Sequence, residues 1–189
     1  MKKKKEQLLV EFPKKKYNII LADPPWPYNA RSNSKTLFGT GASGKYNVMS
    51  WEDICNLPVQ QICDDNCALF LWTVPPFMPK CLQTIEAWGF RFITKAFNWV
   101  KVDKKNEYRL LPGYYTGSNS EDCYLGIKGK MEVVDKGVRQ VISTTLRGHS
   151  QKPEEARDRI VQLFGDLPRI ELFARERILG WDAWGNEIL

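Results

Sequence analysis

Hydrophobic positions along the chain alternate between short β-rich runs and longer stretches with helical spacing. The runs YNIILA (Tyr17 to Ala22), CALFLWTV (Cys67 to Val74), FITKAFNWVKV, DCYLGIKG, RQVIST and RIELFA predict six strands. Between them, PFMPKCLQTIEAWGF and KPEEARDRIVQLFG carry apolar residues at helical spacing, with Cys81, Ile85 and Trp88 near one face of the first. This order favours an α/β fold, a mostly parallel sheet with helices on both faces.

The ends of these elements carry signals of their own. Pro153 begins the second predicted helix and Gly165 follows its last residue, in agreement with residue preferences at helix ends. Ser50 is expected to cap a short helix, with Asp53 three residues later. Because FITKAFNWVKV and DCYLGIKG have no helix between them, we expect an antiparallel pair. Ligands bind at the carboxyl ends of parallel strands, and Asp23 stands at such an end.

Two long segments, residues 28–49 and 103–120, lack a regular pattern. The first is rich in Ser, Asn, Gly and Lys, and the second in Lys, Gly, Tyr and Asn. Because loops this long are usually functional, we expect both to lie on the substrate side. GTGASG, in the first loop, matches a dinucleotide-binding pattern but follows no strand, so a loop is the better interpretation. With no repeats or dividing linker, residues 1–189 are predicted to form a single domain, with a lysine-rich N-terminal segment at 1–16.

Charge and cysteine usage narrow the class of protein. The 189 residues carry a formal net charge of +6, which favours a polyanionic partner such as nucleic acid. Part of this charge lies in MKKKKE and PKKKY, which form either a solvated tail or a phosphate-contacting arm. Five cysteines without a C-x-x-C pair and a single histidine disfavour structural zinc, and free thiols suit a reducing cytoplasm. No run predicts a membrane span or a signal peptide.

The strongest chemical signal is DPPW, Asp23 to Trp26, directly after the first predicted strand. Methylating an adenine amino group is difficult because its lone pair is delocalised into the ring. A carboxylate and the Pro24 carbonyl could accept the two amino hydrogens and free that lone pair, while the prolines hold the loop rigid. The indole would stack on the base, a contact worth roughly 1–3 kcal/mol, once the base has left its own stack. The alternative is an ordinary strand-to-loop turn.

Seven motifs in one order make the chain resemble the MT-A70 family of adenine N6-methyltransferases, from about Tyr17 to Leu189. They are ADPPW, YNVMSWEDI, FLWTV, EDCYLGIKG, HSQKPEE, IELFAR and WDAWGNEI. The resemblance implies a Rossmann-like methyltransferase fold in which the catalytic motif precedes the donor-site segments. It also implies S-adenosylmethionine as the methyl donor and no metal.

The resemblance assigns roles to individual residues, which we carry over as expectations. The catalytic positions are Asp23, Pro24, Pro25 and Trp26. The donor-site positions are Asp23 and Lys152 near the methionine part, Arg175 and Asn186 at the ribose, and their neighbours His149, Arg177 and Glu187. The acceptor-side positions are Trp26, Tyr28, Lys45, Tyr46, Asn119 and Glu121.

Departures from the family pattern occur at the donor end of the site. Arg177 and Glu187 stand where relatives that act on RNA have histidine and glutamine, and the family's donor-binding acid upstream of ADPPW has no counterpart. GHSQKP is closer to the bacterial and phage branch, so we predict a DNA adenine methyltransferase. The alternatives are an RNA adenosine methyltransferase and an inactive nucleic-acid-binding subunit.

Basic residues of the two long loops are expected to contact phosphates. They are Arg31, Lys35, Lys45, Lys101, Lys104 and Lys105. The expected setting is the cytoplasm of a bacterial or phage-infected cell, with the chain as a monomer or homodimer.

Overall fold

The computed structural model describes residues 11–27, 49–111, 113, 115–146 and 151–188. Its strands are β1 Tyr17–Ala22, β2 Cys63–Thr73, β3 Arg91–Val102, β4 Ser120–Lys128, β5 Val141–Thr145, β6 Arg169–Leu172 and β7 Asp182–Trp184. Its α-helices are α1 Trp51–Cys55, α2 Met78–Ala87 and α3 Glu155–Phe164, with 3-10 turns at Val59–Ile62 and Pro75–Phe77. In these ranges no helix has both the length and the apolar character needed to cross a bilayer.

The seven strands form one sheet in the order β5-β3-β4-β2-β1-β6-β7. β4 runs antiparallel to its neighbours β2 and β3, and every other neighbouring pair is parallel. The predicted antiparallel pair and the mostly parallel sheet are therefore confirmed. Because all strands except β4 point the same way, their carboxyl ends meet at one edge of the sheet, and β4 begins there.

Helices cover the two faces of the sheet and bury alternate residues of its central strands. Ile20 and Ala22 of β1 pack in the core beneath α1 and α2, whereas Ile19 and Leu21 pack in the core beneath α3. The predicted face of α2 is confirmed, since Cys81 and Ile85 are fully buried. Burial on both faces explains why β1 and the part of β2 from Cys67 onward are mostly apolar rather than alternating.

Two of the predicted signals at element ends are present, whereas α3 begins at Glu155, two residues after Pro153. The Ser50 hydroxyl accepts the Asp53 N–H at 3.0 Å and caps α1. Gly165 follows α3 with a φ of 84°, a conformation that favours glycine. β2 begins four residues earlier than predicted, at Cys63. β7 was not predicted, because three residues are too few to show an alternating pattern.

Gly126 in β4 allows α2 and the chain that follows it to approach the sheet closely. A Cβ at Gly126 would lie 2.8 Å from Ile85 Cγ2 and 3.0 Å from Phe90 Cβ. We expect Gly126→Ala to lower the free energy of unfolding by about 1–3 kcal/mol through overpacking, as measured by urea denaturation. Gly137→Ala, which meets only the Asp135 side chain, is the control. Equal stability of the two variants would contradict this packing.

Candidate active site

Four charged side chains from four different segments meet at the carboxyl edge of the sheet. Asp23 follows β1, Lys101 lies at the end of β3, Glu121 at the start of β4, and Lys152 before α3. Lys152 Nζ lies 2.6 Å from Asp23 Oδ2 and 3.1 Å from Glu121 Oε2. Lys101 Nζ lies 2.5 Å from Glu121 Oε1. These residues form a chain of alternating charge, Lys101–Glu121–Lys152–Asp23, which we call the charge chain.

Lys152 connects two strands that are not neighbours in the sheet. β2 lies between β4, which carries Glu121, and β1, which precedes Asp23. The Lys152 ammonium lies 5.8 Å from the centroid of the Trp72 ring, at the end of β2, and so bridges the gap above that strand. The Trp72 ring adds a favourable cation–π contact to the two ion pairs. Lys152 therefore has a fixed position between the two carboxylates.

Lys101 was predicted to contact phosphate, and that prediction is wrong. The residue is only 8% exposed, its ammonium is paired with Glu121, and the Trp99 ring centroid lies 5.0 Å from Nζ. The signal was present in the sequence, because Phe97, Trp99 and Lys101 occupy alternate positions of one strand and share a face. Lys104 and Lys105, by contrast, are exposed.

The pKa values of the two carboxyl groups in the charge chain are shifted in opposite directions. Burial by itself raises the pKa of Glu121, but Lys152 and Lys101 together hold it below its usual range. Burial also raises the pKa of Asp23, and Lys152, which Asp23 shares with Glu121, does not offset that effect. Asp23 is therefore more basic than an ordinary aspartate, and a more basic carboxylate is a stronger hydrogen-bond acceptor.

Lys152 stays charged in spite of its burial. Burial on its own would lower the pKa of the ammonium, but the adjacent Asp23 and Glu121 carboxylates raise it above its ordinary value.

Backbone hydrogen bonds hold the DPPW segment in one conformation. The Pro24 carbonyl accepts the Trp26 N–H at 2.8 Å, which closes a three-residue turn. The Pro25 carbonyl accepts the Met49 N–H at 3.1 Å. A carbonyl oxygen has two lone pairs, so Pro24 retains one for a further donor.

Trp26 packs against the end of β2. Its indole N–H donates to the Trp72 carbonyl at 3.0 Å, and its ring stacks on Phe77 with centroids 6.3 Å apart at 24°. In this structure the indole therefore secures the DPPW segment, and its stacking on a base stays a prediction. Phe77, which no sequence motif singled out, covers part of the ring.

The donor-side residues only partly converge. Asp23, Lys152 and Arg175 line one small cavity of about 30 Å³. Its other lining residues are Gln151, Arg157, Glu171, Phe173 and Glu176. Arg175 Nε lies 3.7 Å from Glu187 Oε1, so Glu187 adjoins this cavity through an ion pair, whereas Asn186 and Arg177 are exposed.

Arg157 and Phe173, which line this cavity, have structural features that the sequence did not predict. Arg157 binds Glu171 through two hydrogen bonds of 2.7 and 3.2 Å, which tie α3 to β6. Phe173 has a φ of 61°, an uncommon conformation for a bulky side chain. Such outliers often occur at functional sites.

The remaining predicted residues stand as follows. Asn119 is partly buried, and its carbonyl accepts the Lys101 N–H at 2.8 Å. Tyr28, Lys45, Tyr46 and His149, with Arg31, Lys35 and GTGASG, lie outside the described residues. Within the described ranges, His, Cys, Asp and Glu residues form no group of three that could hold a metal ion.

Comparison with known proteins places these features in context. The MT-A70 family model matches residues 17–187. The chain is 35% identical over 198 residues to the Type II methyltransferase M.MunI of a Mycoplasma species, covering 97% of the chain and 82% of that protein. It is 27% identical over 180 residues to the human N(6)-adenosine-methyltransferase catalytic subunit METTL3, covering 92% of the chain but 28% of METTL3. It likewise spans 26% of a putative N(6)-adenosine-methyltransferase MT-A70-like protein of Medicago truncatula, at 27% identity.

Replacing Lys152 tests the charge chain without reference to activity. Lys152→Met removes the ammonium bound to Asp23 and leaves Glu121 with Lys101 alone. We expect the free energy of unfolding to fall by roughly 3–5 kcal/mol at neutral pH, because a buried charge loses its partner. The pKa of Asp23 should rise further in the folded state, so the deficit should shrink as pH falls and the carboxyl is protonated.

Urea unfolding at about pH 7.5 and about pH 5 measures this effect. Lys152→Arg, which keeps the charge, is the control and should retain more stability than the methionine variant. A deficit of the same size at both pH values would show that the loss comes from packing rather than from charge.

Proposed function

Because the chain belongs to the MT-A70 family, we propose that it is an S-adenosylmethionine-dependent DNA adenine N6-methyltransferase. Its substrate is an adenine that is flipped out of the duplex or lies in a single strand. The observation that carries the proposal is Asp23, a partly buried carboxylate of raised pKa that directly precedes two prolines at the carboxyl edge of the sheet.

Asp23 and the Pro24 carbonyl act on the amino group of the base. Asp23 accepts one amino hydrogen, and the remaining lone pair of the Pro24 carbonyl accepts the other. Both acceptors are fixed before the base arrives, Asp23 by Lys152 and Pro24 by the turn to Trp26. Preorganised acceptors favour the geometry in which the nitrogen lone pair is available for methyl transfer, and they need no rearrangement during the reaction.

The residues near the cavity fit the chemistry of the donor. When bound, S-adenosylmethionine supplies an electrophilic methyl group on its sulfonium. The Asp23 carboxylate suits the donor's ammonium, Lys152 its carboxylate, and Arg175 with Asn186 the ribose hydroxyls. The cavity is smaller than the roughly 300–1,000 Å³ usual for ligand pockets. Binding therefore requires movement, and the Arg175 and Glu187 side chains, joined at 3.7 Å, are the ones we expect to separate.

DNA is preferred over RNA because of the extent of the similarity. The chain has a higher sequence identity to M.MunI, 35%, than to METTL3, 27%. It spans 82% of the length of M.MunI but 28% of the length of METTL3. A relative of similar size and higher identity is the better guide to the substrate. RNA adenosine methylation remains the alternative, and a cytoplasmic setting and a single methyltransferase domain are part of the proposal.

Asp23→Asn tests the catalytic role with little change in shape. We expect methyl transfer to fall by at least about 100-fold, because the amide is a weaker acceptor and lacks the negative charge. Nucleic-acid affinity should stay within about twofold of the native value. The measurement is transfer of labelled methyl from S-adenosylmethionine to matched DNA and RNA oligonucleotides, with Asp65→Asn, an exposed aspartate elsewhere, as the control.

Each result bears on a different part of the proposal. A comparable rate in Asp23→Asn would show that the assigned role is wrong. Transfer to RNA alone would replace the substrate and keep the reaction. Absence of donor binding by calorimetry, together with no transfer to either oligonucleotide, would overturn the enzyme assignment itself.

A further inference from the structure

The segment between β3 and β4 has a defined shape at its first turn. We call its described residues, 103–111, 113 and 115–119, the flap. Asp103 Oδ1 accepts the N–H groups of Lys105 at 2.7 Å and Glu107 at 3.0 Å, and the Asp103 N–H donates to the Glu107 carbonyl at 2.9 Å. Asn106 completes the reversal with a φ of 64°. Asparagine tolerates this left-handed conformation better than most residues do.

After the turn, the flap runs back along the end of the sheet. Tyr108 forms a β-bridge with Val102, and the Arg109 N–H donates to the Lys101 carbonyl at 3.0 Å. The Ser118 N–H donates to the Leu111 carbonyl at 2.9 Å, and a Cβ at Gly117 would overlap the Leu110 side chain. The flap is thus organised by its own hydrogen bonds and by a glycine contact.

The surface of the flap combines exposed apolar side chains with positive charge. Tyr108 is 75% exposed, Leu110 73%, and Tyr115 fully exposed. Lys104, Lys105 and Arg109 are exposed among them, as is Glu107, and with the partly buried Asp103 the flap has three basic and two acidic residues. Large apolar groups gathered in one exposed segment mark a contact surface. Aromatic rings interleaved with basic residues are typical of surfaces on which nucleic-acid bases stack while phosphates are neutralised.

The flap is joined directly to the charge chain. The backbone of Lys101 bonds both arms of the flap, since its carbonyl accepts from Arg109 and its N–H donates to Asn119. The side chain of the same residue holds Glu121, the second residue of β4. A strand whose adenine reaches Asp23 therefore has the flap beside it at the same edge of the sheet.

We propose that the flap binds the DNA strand on either side of the target adenine, with the Tyr108 and Tyr115 rings stacked on the neighbouring bases. These rings occupy space that the target base leaves, and Lys104, Lys105 and Arg109 neutralise nearby phosphates. The inference rests on the proposed function for the identity of the strand. A second copy of the chain is the rival occupant, and the flap's positive charge favours the polyanion.

The test compares the Tyr108→Ala/Tyr115→Ala pair with Tyr108→Phe/Tyr115→Phe, which keeps both rings. Binding is measured by fluorescence anisotropy with a single-stranded DNA oligonucleotide containing several adenines. We expect the alanine pair to weaken binding by at least about tenfold and the phenylalanine pair by about twofold or less. Val134→Ala, at a site 70% exposed outside the flap, should leave affinity unchanged. Urea unfolding and donor calorimetry confirm that the variants remain folded.

Charge is tested separately from stacking. Lys104→Ala/Lys105→Ala should weaken binding and reduce the slope of log affinity against log salt by roughly 0.7 for each lost phosphate contact. The Tyr108→Ala/Tyr115→Ala variant should leave that slope unchanged, because stacking releases no counterions.

The outcomes separate this inference from the proposed function. If the Tyr108→Ala/Tyr115→Ala variant binds DNA as tightly as the native chain does, the inference is overturned, whether or not the enzyme transfers methyl groups. The inference is also overturned if that variant changes its oligomeric state, measured by light scattering, while its DNA affinity is unchanged. That result would identify the flap as an interface between copies. Ring-dependent DNA binding without methyl transfer by the native chain would support the flap's role and contradict the proposed reaction.

Discussion

The contact of Lys152 with both Asp23 and Glu121 is the interaction on which the rest of the site depends. Two carboxylates buried near each other repel and are costly unless a cation lies between them. β2 separates the strands that carry them, and the residue that it places beneath the gap is Trp72, which has no charge. Lys152 supplies the cation from the segment before α3, and Lys101 completes the balance at two positive and two negative charges.

The sheet makes this arrangement rigid. Its central strands are buried on both faces, so their ends have little freedom, and six of the seven strands deliver those ends to the same edge. The Trp26 bond to the Trp72 carbonyl then fixes the DPPW segment to that edge. A carboxylate held in this way meets its substrate in the geometry that it already has, which is the physical basis of the role proposed for Asp23.

Lys101 links the chemistry to the proposed DNA surface. Its side chain pairs with Glu121 inside the site, while its backbone anchors both arms of the flap outside it. Any displacement of the flap at this point acts on a residue that also positions Glu121. The cavity proposed for the donor is lined by Asp23 and Lys152 as well as by Arg175, so the charge chain contacts both the flap and that cavity.

Local pattern determined much of the fold. Six of the seven strands, the helices, the Ser50 cap and the Gly165 stop were predictable because periodicity and end preferences act over a few residues. The DPPW motif likewise singled out Asp23, which lies in the charge chain. Tertiary structure decided the partners. Asp23 and Lys152 lie 129 positions apart, and the folded chain brings the segment before α3 to the end of β1. Lys101 was assigned to phosphate contact from its residue type, yet its ammonium is buried against Glu121. Trp26 was assigned from the DPPW motif, and its packing on Phe77 is a contact that the motif does not specify. A pattern specifies which face a side chain occupies, whereas its partner depends on which segments the folded chain places beside it.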